Sequence, residues 1–175
     1  MSLGAKVKSV DVSEHAIRST SRFNPDTCRL SIFDIPTRPA LYEAFDFTLC
    51  WGVVMCTHDP KIAFQNVAST VKPGGALYIM VYAPTYHSSE QVREMRRQFH
   101  RECRTIEEKI DFVFRVAEDP NNAINYMDML NTFYNWTIPE EVARKWFEDS
   151  GFTDILTLNK NEPYNAAWHV LGRKV

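Results

Sequence analysis

Glycine is scarce in this chain, and the few glycines present are spaced badly for nucleotide chemistry. The six among 175 residues are Gly4, Gly52, Gly74, Gly75, Gly151 and Gly172, so no Gly-x-Gly turn exists to let a backbone approach a phosphate or a similar group closely. The Walker A loop and the G-x-S-x-G nucleophile elbow are missing too, which removes P-loop and serine-hydrolase chemistry. Basic charge is not in excess. With 20 Lys+Arg against 22 Asp+Glu and a net charge of -2, the chain has no electrostatic grip on a nucleic-acid backbone. No apolar run approaches the ~20 residues that cross a bilayer, and the polar start lacks the apolar core of a signal peptide. Neither a membrane nor a nucleic-acid partner is expected, and the expected location is cytoplasmic. Cys28, Cys50, Cys56 and Cys103 are scattered, unlike a secreted disulfide scaffold, and should be reduced. Cys50, Cys56 and His58 offer three ligands without paired C-x-x-C spacing, so no metal is expected.

What remains is a chain that is 45% hydrophobic, enough for one core and a single domain over 1–175. Four runs have strand length and β-branched or aromatic content: Val7 to Val12, Arg29 to Phe33, Phe45 to Val54 and Ala76 to Tyr82. Helix signals lie between them. Ser13 is placed to cap a helix with Glu14 in its first turn. Asp59-Pro60 opens another, because proline at the first helical position loses no needed hydrogen bond. That helix stops at Lys72 to Gly75, where Pro-Gly suits a type II turn. Alternating strands and helices predict an α/β fold with a parallel sheet.

From Glu90 to Glu118 the pattern changes. Val92, Met95, Phe99, Cys103, Ile106, Ile110, Val113 and Ala117 recur at spacings of three and four, one face of a helix or of two consecutive helices. Packing on the body of the domain is the simpler reading; a lid or subunit contact is the sharper one. Asn121 to Trp136, rich in Asn, Met and aromatics, suits either core or an adaptable apolar surface, core being the commoner fate of such stripes. Thr137 with Glu140 reads as a capping box for a helix ended by Gly151. Two last strands follow, near Thr153 to Leu158 and Ala167 to Gly172.

These blocks resemble, in order, the class I S-adenosylmethionine-dependent methyltransferases. "VKSVDVSEHAI" looks like the family's second strand and helix, and "LSIFDIPT" like its third strand. "FDFTLCWGVVMCTHDPKIAFQNVASTVKPGGALYIMVY" is similar to the fourth strand, helix, turn and fifth strand, and "TIPEEVARKWFEDSGFTDI" to the late helix before a final antiparallel pair. The resemblance implies a Rossmann-like sheet, mostly parallel with a C-terminal antiparallel pair, interrupted by a helical and aromatic insert over 86–136. It implies S-adenosylmethionine as cofactor and an unknown small-molecule acceptor. Ligands of open α/β sheets sit beyond the carboxyl ends of the strands. Asp11 would hold the ribose hydroxyls and Asp34 the adenine amino group, with Val12 and Ile35 flanking the ring and Trp51 and Gly52 facing the methionine part. His58, Tyr86 and His87, after the fourth and fifth strands, are the candidate bases. Each has a plainer reading: an acid after a strand is commonly a helix cap, Trp51 suits a core, and loop residues are often merely exposed.

The resemblance also implies a first strand and a Gly-x-Gly turn ahead of Lys6, and neither is present. That strand belongs in the middle of the family's sheet. Its loss should leave open strand edges that attract another chain, so a homo-oligomer is expected, through the edges or the insert. The opening "MSLGAKV" reads as a truncated start, in which case the chain would be inactive as it stands; a non-catalytic oligomeric or partner-binding module that keeps the fold is the alternative.

Overall fold

The computed structural model describes residues 4–85, 90–117, 119–161 and 166–175. Among the described residues six strands form two separate sheets rather than one. Strands β1 (Ser9–Asp11) and β2 (Thr27–Arg29) pair in parallel around helix α1 (Glu14–Thr20). Strands β3 (Phe45–Trp51), β4 (Val71–Tyr82), β5 (Phe152–Thr157) and β6 (Ala167–Lys174) form the other sheet in the order β3-β4-β6-β5. There β3 and β4 run parallel, while β6 is antiparallel to both β4 and β5. The expected antiparallel C-terminal pair is therefore present. Among the described residues no strand joins β1 to β3.

One core holds both sheets. Leu30, Ile35 and Leu41 from the segment after β2 pack with Val54, Phe64, Leu77, Ile79 and Val170. Helices α2 (Pro60–Ala68) and α6 (Glu140–Asp149) supply Phe64, Trp146 and Phe147, whose rings interlock with centroids 5.0 and 5.7 Å from that of Phe64. Burying each such side chain contributes about 1.5–3 kcal/mol. Gly172 on β6 is part of this fit, because a Cβ there would lie 2.5 Å from the Phe147 ring.

The larger sheet has two unlike faces. Along β4, Leu77, Ile79 and Val81 are fully buried and alternate with half-buried Tyr78 and Met80, the period of two that a pleated strand imposes. The buried set faces α2 and α6. The other face carries Phe47, Leu49 and Trp51 from β3 and Leu156 from β5, each more than half exposed.

Three sequence-based expectations are corrected. The third strand is Thr27–Arg29, not Arg29 to Phe33: the Ser31 hydroxyl accepts from the Phe33 N–H at 3.2 Å and starts a 3₁₀ helix, Ile32–Thr37, the local side-chain alternative to a ladder. Lys72 to Gly75 does not end an element but bulges within β4, where pairing jumps from Phe45↔Val71 to Phe47↔Ala76. Gly74 has φ +79°, the value a type II turn needs at its third residue. Helix α6 is preceded by Pro139, not capped by Thr137, because the Glu140 carboxylate instead accepts from Thr157 of β5 at 2.8 Å.

The insert forms α3 (Glu90–Glu102), α4 (Ile106–Val116) and α5 (Ala123–Asn131) around a small core of its own: Phe99, Cys103, Phe112, Val113, Ala117, Ala123 and Leu130. A capping box at Thr105 and Glu108, absent from the sequence-based expectations, breaks α3 from α4. The break shifts the helical phase. Ile106 and Ile110, expected on the inner face, are 56% and 41% exposed, and Phe112 is buried instead.

Candidate active site

Asp11 ends β1 and is exposed. Its Oδ1 accepts from the Ser13 N–H at 2.7 Å, while Ser13 caps α1 by accepting from Ala16. One carboxylate oxygen thus serves the turn. The other has no protein partner among the described residues and points its acceptor capacity at solvent. Val12 beside it is 64% exposed, and its carbonyl accepts from Arg29 Nε at 3.1 Å.

Asp34 is exposed in the first turn of the 3₁₀ helix, five residues past the end of β2. Its backbone carbonyl accepts from Thr37 at 2.7 Å, which leaves its carboxylate outside the turn's own bonding. Ile35 goes the other way. At 8% exposure its side chain belongs to the core, whereas the neighbouring Phe33 is only partly buried.

Phe33 was not singled out in the sequence. Its ring lies 4.2 Å, centroid to centroid, from that of His58, and Tyr134 approaches His58 from the insert side at 6.3 Å. Three rings from three segments therefore meet just beyond the carboxyl end of β3. Trp136 fixes the insert here, its backbone N–H donating to Met55 O and its indole N–H to Thr57 O, both at 3.0 Å. Phe133, Tyr134 and Trp136 are 79%, 38% and 48% exposed. The aromatic end of the Asn121 to Trp136 stretch is surface, although Ala123 and Leu130 of the same stretch are core.

Trp51 ends β3, stacked on Tyr78 at 5.9 Å and edge-on to His169 at 5.0 Å, with the Tyr78 hydroxyl 2.6 Å from His169 Nδ1. Gly52 follows at φ +71°, a conformation that favours glycine, and donates to Met80 O at 3.2 Å. A side chain there would meet Met80 and Met55 at 3.5 and 3.9 Å. Cys56 lies near the insert, its thiol pushed up to about 11 by burial and by the Asp128 carboxylate. Asp128 in turn accepts from the Tyr82 hydroxyl at 3.1 Å, which ties β4 to α5. Beside it, Ile124, Met127, Asn131 and Thr132 line an open cleft of about 350 Å³. Tyr86 and His87 lie outside the described residues.

Residues 2–157 match one sequence profile, described as a methyltransferase domain. The chain belongs to the methyltransferase domain family. Its fold is that of the class I, S-adenosylmethionine-dependent methyltransferases. Among curated proteins none matches it. A Thermotoga maritima structure described as an S-adenosylmethionine-dependent methyltransferase, possible histamine N-methyltransferase, is similar at 16% identity and TM-score 0.60, covering 97% of this chain and 74% of that one. The citrinin polyketide synthase CMeT domain matches at 16% identity and TM-score 0.60, over 97% of this chain and 40% of that one. Human N-acetylserotonin methyltransferase, solved in complex with SAM, matches at 15% identity and TM-score 0.54, over 98% and 41%. At such identities the likeness is one of fold.

The exposed acids supply acceptor groups at this edge of the fold. The carboxylate of Asp34 and the second oxygen of Asp11, whose Oδ1 is held by the Ser13 N–H, are acceptors for hydroxyl and amino hydrogens. Trp51 and Gly52 stand at the carboxyl end of β3, and no Gly-x-Gly sequence occurs in the 175 residues.

Proposed function

We propose that this chain carries the acceptor site and the nucleoside half of the cofactor site for methyl transfer from S-adenosylmethionine to a small molecule with a flat, partly apolar body. The observation that carries this reading is the convergence of Phe33, His58 and Tyr134 beyond the carboxyl end of β3, next to the exposed Asp34. Asp11 would accept from the ribose hydroxyls through its open oxygen, and Asp34 from the adenine amino group, with Val12 and Phe33 against the ring. Trp51 and Gly52 would border the methionine part. The cofactor's sulfonium supplies the methyl group. On the protein side, an imidazole nitrogen of His58 can take the proton from an acceptor hydroxyl or amine, with Tyr86 and His87 as further bases. Phe33 and Tyr134 offer the flat faces on which an aromatic or unsaturated acceptor stacks.

The split between the sheets favours a second reading, a module that keeps the fold without catalysis. Calorimetric titration with S-adenosylhomocysteine separates the two. Micromolar binding to the 175-residue chain, weakened by Asp11→Ala, would support the first. Charge-assisted hydrogen bonds of about 1.5–3 kcal/mol correspond to a loss of roughly 10- to 150-fold. Asp11→Asn, which keeps an acceptor for Ser13, controls for damage to the turn. No heat at millimolar ligand would refute cofactor binding by the chain alone and leave the second reading standing.

A further inference from the structure

One side of α5 is open while the other is buried. Ile124, Met127, Asp128, Asn131 and Thr132 recur at steps of three and four, so they share one side of the helix and line the cleft of about 350 Å³. Ala123 and Leu130, on the other side, belong to the insert's own core. The cleft lies at the small end of the ~300–1,000 Å³ usual for small-molecule sites. A single ring with a short arm suits it. Ile124 is 81% exposed, Met127 offers an adaptable thioether, and Asp128 carries the one formal charge among the five.

The body of the protein fixes where Asp128 stands. Its Oδ2 accepts from the hydroxyl of Tyr82, the last residue of β4, at 3.1 Å, and its charge helps to push up the thiol of Cys56, just beyond β3. The carboxylate therefore belongs to the carboxyl ends of the parallel pair, where Trp51 and Gly52 also lie. Among the described residues it enters no ion pair. Arg96 donates to the carbonyls of Met129 and Thr132, and Lys109 donates to Asn131 Oδ1 at 2.9 Å. The Oδ1 of Asp128 is left as an acceptor beside apolar surface, a pattern that selects a cation with a hydrocarbon body.

We propose that this cleft binds a one-ring arylalkylamine, Asp128 Oδ1 accepting from its ammonium group and its ring packing on Ile124 and Met127. On the methyl-transfer reading, on which this role rests, that amine is the acceptor, and Asp128 sets the preference for cationic over neutral or acidic molecules. The ammonium is a handle and not the methylated atom, because a protonated nitrogen has no lone pair to receive a methyl group. A carboxylic acid of the same shape would be repelled.

The test titrates phenylethylammonium into the full chain at neutral pH, with saturation-transfer NMR on the added molecule as the readout and phenylethanol and phenylpropionate as comparators. The amine should bind about three- to fivefold more tightly than the alcohol, the upper range for a solvent-exposed ion pair, and the acid more weakly than either. Asp128→Asn keeps an acceptor for Tyr82 and should bring amine and alcohol to equal affinity. Ile124→Lys, at an exposed position, should weaken the amine and strengthen the acid while circular dichroism stays unchanged. Equal binding of amine and alcohol would overturn the inference, as would a preference that survives Asp128→Asn or no amine binding at about 20 mM. None of these readouts needs the cofactor or turnover. Amine selectivity without S-adenosylhomocysteine binding would refute methyl transfer by the chain and keep the site; cofactor binding without amine selectivity would refute the site and leave transfer to another class of acceptor.

Discussion

Leu49 and Ile79 sit on neighbouring strands of one sheet and differ in what covers them, which makes a direct contrast possible. Ile79 is fully buried, in register with buried Cys50 on one side and Val170 on the other. Truncating it to alanine removes its transfer free energy and leaves a cavity, a loss of about 2–5 kcal/mol. Leu49 is 59% exposed. Only about two-fifths of a burial term of about 2 kcal/mol is at stake there, and no enclosed cavity forms, so Leu49→Ala should cost less than about 1 kcal/mol. The two variants should differ by at least about 1–2 kcal/mol. For a chain of this length that corresponds to a difference of roughly 3–8 °C in Tm. Urea unfolding of each variant at low protein concentration, with m unchanged, gives the comparison. A cost for Leu49→Ala equal to that for Ile79→Ala would refute the reasoning, because the face would then be packed in the folded protein.

Gly172→Ala should destabilise by about 1–3 kcal/mol through overpacking, since its Cβ would stand 2.5 Å from a Phe147 ring held between Phe64 and Phe152; urea melts should show part of that loss recovered in the double variant with Phe147→Leu. Tyr82→Phe removes the hydrogen bond to Asp128. It should cost about 1 kcal/mol and raise exchange rates in α5 while those of β4 and α2 stay the same. His100 packs against Phe99 and Phe133, and burial, together with Arg96 and Lys109, holds its imidazole below the ordinary 6.5. The unfolded chain therefore binds this proton more readily than the folded one, so the contribution is complete above 6.5 and lost as pH falls through the folded value. Exchange in α3 and α5, corrected for intrinsic rates, should show the insert loosening from pH 7 to pH 5.5, and His100→Asn should flatten that dependence.

Much of the fold was legible because the local signals agreed with the tertiary outcome. Ser13, and Asp59 before Pro60, cap the helices expected of them, and the apolar runs at Phe45 and Ala76 became the parallel pair of the larger sheet, with β3 at its edge. Failures came where a side chain found a better partner at a distance. Glu140 bonds Thr157 across to β5 instead of closing a box with Thr137, which no local pattern reveals. Around Ser31 the competing turn was short enough to pass for strand. Asp11 and Asp34 are exposed, but Ile35 turned inward, since one residue's rotation along a 3₁₀ helix exchanges core for surface. Phe33 and Tyr134 were invisible as a pair because their meeting with His58 depends on where the insert lies, and aromatic content alone favours burial.

The insert's separate hydrophobic cluster has a consequence for how this protein can change over generations. Phe99, Phe112 and Leu130 pack among themselves and not with Phe64 or Phe147, so replacements in one cluster should add to, rather than compound, replacements in the other. The insert can thus vary in sequence while the body keeps its margin against unfolding.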